Sequence, residues 1–327
     1  MSYLFEEKYR LTYTWVMEEP IPLAESRKSE LSSSDPGSRG SDCIKLGSYA
    51  EIMLDGQQLV KSNIVGDSTC SEVALEEAKK RVALTEYYHD QLIEADVTLP
   101  QTYVCLGRHS SGAPTVEIHA QKISAPNALI KLPTAHLSEQ VSTVRAIMKE
   151  VVKIIRTQYG DRPIGYDTGF DNFIVVGDCA YLVDIYPPRV AHSVATTGEC
   201  APLEQKELLI GYPEAAPLSP KQEEKLKNYY YTPNGTIQHF TLWALAVTHC
   251  LHAVAGAADL MNTPRSREIT AVVYDVLQGE GTSSLVSSLK SFLISEGGQS
   301  ELLQFYTKAQ ERYAIALRTW RTVCHLF

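Results

Sequence analysis

The sequence lacks the motifs that mark several common protein classes. It has no Cys-x-x-Cys pair, and its seven cysteines are scattered along the chain. Neither zinc-ribbon spacing nor a dense disulfide framework is therefore indicated, which favours a reducing compartment. The G-x-x-x-x-G-K-[ST] phosphate loop and the G-x-S-x-G turn of serine hydrolases are also missing. Neither a P-loop nucleotide site nor a nucleophile elbow is expected.

The chain also has fewer positive than negative charges. The chain has 30 Lys and Arg against 39 Asp and Glu, which gives a formal net charge of −9. Broad nucleic-acid and anionic-membrane surfaces need a cationic face, so neither partner is expected. The first residues are acidic and aromatic, unlike a secretory signal, and a cytoplasmic location is expected.

Long apolar runs are scarce. The nearest to a membrane span is the stretch 242–261, which carries His249, His252 and Asp259. Polar groups of this kind are costly inside a bilayer, so a buried helix of a globular protein is the favoured interpretation.

Composition and periodicity divide the chain into three parts. Residues 1–42 are expected to form an N-terminal arm and a flexible linker rich in Ser and Gly. Residues 43–123 read as strands around one helix, and residues 124–327 as a mostly helical region. The predicted fold class is therefore α+β.

Three local signals support this division. Asp55-Gly56 between two apolar runs predicts a β-hairpin. A helix is predicted to begin at a capping box formed by Thr69 and Glu72. The stretch 137–157 has apolar residues at helical spacing along its whole length, which predicts an amphipathic helix.

The candidate catalytic residues are polar residues at the ends of predicted strands. In "GYDTGFDNFIVVGDCAYLVDIYPPR", residues 165–189, Asp167 and Asn172 precede one apolar run and Asp184 ends the next. Carboxylate and amide oxygens suit Mg²⁺, and a further carboxylate can accept a hydroxyl proton. Lys61, near the end of an earlier predicted strand, can supply a cation for phosphates.

In their order and approximate spacing, these residues resemble the protein-kinase-like superfamily. The resemblance is greatest to the branch of aminoglycoside and choline phosphotransferases. It implies a two-lobed fold with a small antiparallel-sheet lobe carrying one helix, a mostly helical large lobe, and ATP between them. It also implies that Lys61 binds phosphates, that Asp167 is the catalytic base, and that Asn172 and Asp184 hold Mg²⁺.

The resemblance implies further nucleotide contacts. Gly47 and Ser48 take the place of the loop that covers the phosphates. Gln121 to Ile123 take the place of the hinge that contacts adenine.

A glutamate on the predicted helix would orient Lys61. Glu76 and Glu77 both fit the family spacing, and Glu77 is slightly preferred. Adjacent helical residues point about 100° apart, so only one of them can face the cleft.

Some positions depart from the family pattern. Gly165-Tyr166 replaces the usual His-containing pair before the base, and Gly169 stands where protein kinases have a lysine. These departures favour a small-molecule kinase over a protein kinase. Two other interpretations stay open: a kinase fold that binds nucleotide but has lost phosphoryl transfer or performs another transfer such as nucleotidylation, and a non-catalytic interaction module whose acidic residues form turns.

The acceptor is expected to be a small molecule with a hydroxyl group. The region 189–260 contains acidic patches, which would suit a cationic acceptor if they line a pocket, although such residues are more often solvated surface charges. The oligomeric state is not indicated. The glutamates of these patches are Glu199, Glu204, Glu207, Glu214, Glu223 and Glu224.

Overall fold

The chain folds as an N-terminal antiparallel sheet with one helix, followed by a mostly helical region. This confirms the predicted α+β class. The structure, a computed structural model, describes residues 15–16, 43–45, 50–55, 58–65, 72–109, 112–160, 163–187 and 219–324.

The strands are numbered along the chain and make three separate sheets. Their bounds are β1 (Trp15–Val16), β2 (Cys43–Lys45), β3 (Ala50–Asp55), β4 (Gln58–Ile64), β5 (Thr102–Arg108), β6 (Pro114–Gln121), β7 (Ser124–Ala125), β8 (Phe173–Val176) and β9 (Cys179–Leu182).

The helices follow the same numbering and lie mainly after the sheet. Their bounds are α1 (Glu72–Glu94), α2 (Ala128–Lys131), α3 (Leu137–Thr157), α4 (Pro220–Tyr231), α5 (Pro233–His249), α6 (Ala257–Met261), α7 (Pro264–Gly279), α8 (Ser283–Ile294) and α9 (Glu296–Cys324). Short 3₁₀ turns occupy Leu132–Thr134 and Phe170–Asn172.

The main sheet has the spatial order β2-β3-β4-β6-β5, with every neighbouring pair antiparallel. The predicted hairpin is confirmed, since Asp55 pairs with Gln58 at the end of the β3–β4 ladder. Lys61 in β4 lies opposite Ile52 on one side and Ile118 on the other. This lysine is therefore on an inner strand, away from the sheet edge.

Helix α1 packs against β5 and β6. Its buried residues repeat every three or four positions, which places them on one stripe facing the sheet. The described part of the helix begins at Glu72. The capping box expected from Thr69 and Glu72 stays a prediction, because Thr69 lies outside the described residues. The stripe consists of Ala74, Ala78, Arg81, Thr85, Tyr88 and Leu92.

The helical region is built around α3 and α5. Helix α3 spans Leu137–Thr157, the range predicted from its periodicity, and packs against α5 and α7. Helix α5 is buried on nearly every side, and its N-terminus is capped by the Thr232 hydroxyl, which accepts a hydrogen bond from the Gly235 amide at 3.1 Å. The part of the chain that the structure describes contains no helix long and apolar enough to cross a membrane.

A second hairpin, β8–β9, lies between the sheet and the helices. Gly177 and Asp178 form its turn, and Gly177 has a φ of +57°, a conformation that glycine adopts without strain. The Leu182 amide donates to the Thr98 carbonyl at 3.0 Å, just after α1. The hairpin is thereby tied to the sheet region.

Part of the N-terminal arm reaches the end of the main sheet. Strand β1 pairs antiparallel with β7, with Trp15 opposite Ala125. Strand β7 follows directly after Gln121–Ile123, the segment expected to contact adenine.

Candidate active site

An ion pair joins the main sheet to the β8–β9 hairpin. Nζ of Lys61 lies 3.1 Å from Oδ1 of Asp184, and the two side chains are only 8% and 18% exposed. Asp184 follows β9 by two residues, and its Oδ1 also accepts a hydrogen bond from the Tyr186 amide at 3.0 Å. Two residues that the sequence assigns to one site, 123 positions apart, are thus in direct contact.

The loop before β8 holds Asp167 in a fixed orientation. Oδ1 of Asp167 accepts a hydrogen bond from the Gly169 amide at 3.0 Å. Nδ2 of Asn172 donates to the Asp167 main-chain oxygen at 3.4 Å. The Asn172 carbonyl in turn accepts from the Val183 amide at 2.9 Å, one residue before Asp184. Asp167, Asn172 and Asp184 therefore belong to one connected polar region.

Gly169 leaves the space that this polar region needs. A Cβ at position 169 would lie 2.6 Å from Oδ1 of Asp171 and 3.3 Å from Oδ1 of Asp167. The glycine that replaces the lysine of protein kinases therefore has a steric reason in this chain.

The pKa of Asp167 is raised to about 6, from an ordinary value of 3.8. Burial is the largest cause, because it disfavours the charged carboxylate, and the negative charge of Asp171 adds to it. Arg312 and the Gly169 amide lower the pKa, and Asp184 raises it slightly. The Asp167 carboxyl group therefore changes its protonation state between mildly acidic and neutral pH.

Arg312 and Asp171 form a second, partly buried ion pair that sequence reasoning missed. Nη1 of Arg312, on α9, donates to both carboxylate oxygens of Asp171 at 3.2 and 3.1 Å. The guanidinium carbon lies 4.8 Å from the ring centroid of Trp243 on α5. The C-terminal helix thereby anchors the loop that carries Asp167.

A buried hydrogen bond anchors the same loop to α5. Oγ1 of Thr168 lies 2.6 Å from Nδ1 of His239, and both residues are buried. Burial lowers the pKa of His239 well below its ordinary value, so the ring is neutral. The ring stacks on Tyr229, with 4.8 Å between the ring centroids.

Tyrosines surround the position where kinases usually carry histidine. The Tyr88 hydroxyl donates to the Gly165 carbonyl at 2.8 Å, and the Tyr166 amide donates to the Tyr230 carbonyl at 2.9 Å. A Cβ on Gly165 would collide with the ring of Tyr231. Gly165, which departs from the family pattern, therefore leaves room for the bulky Tyr231 ring at the end of α4.

Replacing Gly165 with alanine is expected to lower the free energy of unfolding by about 1–3 kcal/mol, because it overpacks this contact. Tyr231→Leu in the same chain should recover part of that loss, with a coupling of about 0.5–3 kcal/mol. Urea unfolding of the single and double variants gives both values. Gly279→Ala is the control, since a Cβ there meets nothing within 4 Å. Strictly additive effects of the two substitutions would contradict the contact.

Asp171→Asn is expected to lower the pKa of Asp167 towards its ordinary value, because it removes a negative charge that raises that pKa. Carbon NMR titration of the aspartate carboxyl groups in metal-free protein measures the change. Asp178→Asn, at the exposed hairpin turn, should leave the pKa of Asp167 unchanged. A higher pKa of Asp167 in the Asp171 variant would contradict this account of the site.

In this structure Glu77 contacts Arg81, and its expected role in orienting Lys61 stays a prediction. Oε1 of Glu77 accepts a hydrogen bond from Nε of Arg81 at 2.8 Å, one turn further along α1. Glu76 pairs with Lys79 at 2.6 Å. Glu77 lies beside the buried stripe of α1 and is 38% exposed, so Arg81 is the nearer cation. Asp184 pairs with Lys61 instead.

A small apolar cluster, separate from the main core, adjoins the Lys61–Asp184 pair. It joins the main sheet to the hairpin, since Leu59 precedes Lys61 by two positions and Val183 precedes Asp184 directly. Ile123, expected at the adenine hinge, is buried in this cluster, whereas Gln121 is exposed at the end of β6. Its members are Leu59, Ala120, Ile123, Ile174 and Val183.

Gly47 and Ser48, expected over the phosphates, lie outside the described residues, and so do positions 189–218 of the expected acceptor region. A scan against models of known protein families finds no match for this chain. A search of curated proteins likewise finds no match. The site is therefore interpreted from its own geometry.

Proposed function

We propose that this protein transfers the γ-phosphate of ATP to a hydroxyl group of a small molecule, using a two-lobed fold like that of protein kinases. The observation that carries this proposal is the Lys61–Asp184 contact, which joins the sheet to the hairpin beside the Asp167 loop. A cation from the sheet and acidic groups from the hairpin then face the same place, as phosphoryl transfer requires.

Each residue has a distinct part in this proposal. Lys61 neutralises the α- and β-phosphates, while Asp167 orients the acceptor hydroxyl and takes its proton. The buried apolar cluster, which includes Ile123, lies next to the ion pair and spans the same two elements, so adenine would bind at the edge of this cluster.

The donor set suits Mg²⁺. The side-chain amide nitrogen of Asn172 donates a hydrogen bond to the Asp167 carbonyl, so the side-chain amide oxygen is the atom that would bind a metal. Asp184 offers a carboxylate, and hard oxygen ligands of this kind are those that Mg²⁺ prefers. When bound, the ion would neutralise charge on the phosphate oxygens. The residues thus fit the cofactor that the resemblance implies.

One observation favours a second function, a kinase-like protein that binds nucleotide without phosphoryl transfer or that transfers the nucleotidyl group. Glu77 pairs with Arg81, so the glutamate expected to orient Lys61 on the phosphates does not do so in this structure. A phosphate lysine paired with Asp184 and not with Glu77 would bind nucleotide in a different position.

Two labelled nucleotides distinguish these functions. The protein would be incubated with Mg²⁺, a panel of amino sugars and hydroxylated amines, and ATP labelled at either the γ- or the α-phosphate. If label from the γ-phosphate appears in the acceptor with the wild type but not with Asp167→Asn, the result supports the phosphotransferase. Label from the α-position supports nucleotidylation. If the acceptors carry no label but the protein binds nucleotide in a Mg²⁺-dependent way, the protein would be a nucleotide-binding protein without transferase activity.

A further inference from the structure

We propose that Cys105, Glu117 and His119 form a zinc site on the main sheet. Cys105 in β5 lies directly opposite Glu117 in β6, and His119 follows Glu117 by two positions. Side chains at cross-strand and i, i+2 positions lie on the same face of a sheet. The register alone thus brings a thiol, a carboxylate and an imidazole together.

The donor atoms are close enough for one ion. One ligand atom from each of the three side chains lies within 4.8 Å of the other two. Glu117 is only 6% exposed, and Oε2 of this buried carboxylate lies 3.1 Å from Nε2 of His119. Nδ1 of His119 is buried and has no hydrogen-bond partner among the described residues. A bound cation would satisfy charge and polarity that burial makes costly.

The neighbours of the three residues hold them in place. The ring of His119 stacks on Tyr103 with 4.5 Å between centroids and 12° between the planes. On the other side, a Cβ at Gly107 would collide with the Glu117 carboxylate, so the glycine makes room for this side chain across β5. These two contacts hold the His119 ring and the Glu117 carboxylate within the cluster.

The three types of ligand atom indicate which metal would bind. A thiolate with an imidazole and a carboxylate suits Zn²⁺, whereas Mg²⁺ takes oxygen ligands. Three protein ligands leave a fourth position for water or another ligand, which is typical of zinc sites that are not purely structural.

This site is separate from the proposed nucleotide site. Lys61 lies opposite Ile118, the residue between Glu117 and His119. Since successive strand residues point to opposite faces, Lys61 and the three donors lie on opposite faces of the sheet. The zinc site therefore does not depend on the proposed kinase function.

A metal here would join an edge strand to its neighbour. Strand β5 is at one end of the main sheet, and β6 is its partner within that sheet. Zinc bound by Cys105 on one strand and by Glu117 and His119 on the other would fix their register. Metal binding to the folded state alone also raises stability.

Co²⁺ is the spectroscopic probe for the full-length chain, because thiolate ligation gives a charge-transfer band and tetrahedral geometry gives intense visible bands. Zn²⁺ affinity is then measured by competition with a chromophoric chelator. Cys105→Ser, Glu117→Gln and His119→Ala should each lower affinity by more than about 100-fold, since losing even an outer partner of a ligand costs about 10- to 100-fold. Cys179→Ser, at an exposed free cysteine in β9, is the matched control.

A second measurement needs no variant and so does not depend on the folding of the altered chains. Zn²⁺ should slow alkylation of Cys105 in the wild-type protein, as read by peptide mass spectrometry, and leave alkylation of Cys179 unchanged. A missing thiolate–cobalt band, an undiminished band in Cys105→Ser, or equal alkylation of Cys105 with and without Zn²⁺ would overturn the proposal and make the cluster a hydrogen-bonded group only.

Discussion

Replacing Asp167 with asparagine is expected to lower the rate of the proposed phosphoryl transfer by about 10²- to 10⁴-fold, the usual contribution of a general base. Asparagine keeps the size of the side chain and can still accept the Gly169 amide, so the loop should keep its conformation. Nucleotide binding should be nearly unchanged, since Lys61, Asn172 and Asp184 remain. Steady-state turnover and ATP affinity of the variant give the two values.

Asp178→Asn is the matched control for this substitution. Asp178 lies in the turn of the β8–β9 hairpin and is exposed, so its turnover should equal that of the wild type. Full activity in the Asp167 variant would show that another group takes the proton, and the assigned base would be wrong.

Replacing Arg312 with glutamine is expected to lower the free energy of unfolding by about 3–5 kcal/mol, the usual cost of breaking a buried ion pair from one side. Asp171 is buried, and the substitution removes the cation that donates to both of its carboxylate oxygens. The contact with Trp243 would be lost as well. Urea unfolding followed by circular dichroism measures the change.

Arg318→Gln, at an exposed position two turns further along α9, should alter stability by no more than about 0.5 kcal/mol. If Arg312→Gln were equally mild, the pair with Asp171 would contribute little, and α9 would not anchor the Asp167 loop. Arg312→Lys separates charge from geometry, because lysine keeps the charge but not the planar guanidinium.

Local patterns predicted the elements that local chemistry determines. The Asp55-Gly56 hairpin and helix α3 are both present, because turn residues and apolar periodicity act over a few positions. Lys61 and Asp184 could be assigned to one site only through the resemblance to kinases. The structure brings these two residues together, whereas their catalytic roles stay predictions.

The features that the sequence analysis missed depend on tertiary contacts. Nothing near Asp171 in the sequence indicates that Arg312, 141 residues away, is its partner. The collision that excludes a side chain at Gly165 depends on Tyr231, which reaches the loop only when α4 packs. The contact between Glu77 and Arg81 was missed for the same reason, since spacing along the sequence does not show which cation lies closest to a glutamate.

The central claim is that Lys61, Asn172 and Asp184 form a Mg²⁺-dependent nucleotide site. A thermal-shift titration with ATP, with and without Mg²⁺, on the wild type and Asp184→Asn tests it most directly. Binding to the folded state at a hundredfold excess over Kd adds about 2.7 kcal/mol of stability. The account predicts a Mg²⁺-dependent rise in the melting temperature of the wild type that is lost in the variant. No shift in the wild type, or an equal shift in both proteins, would contradict it.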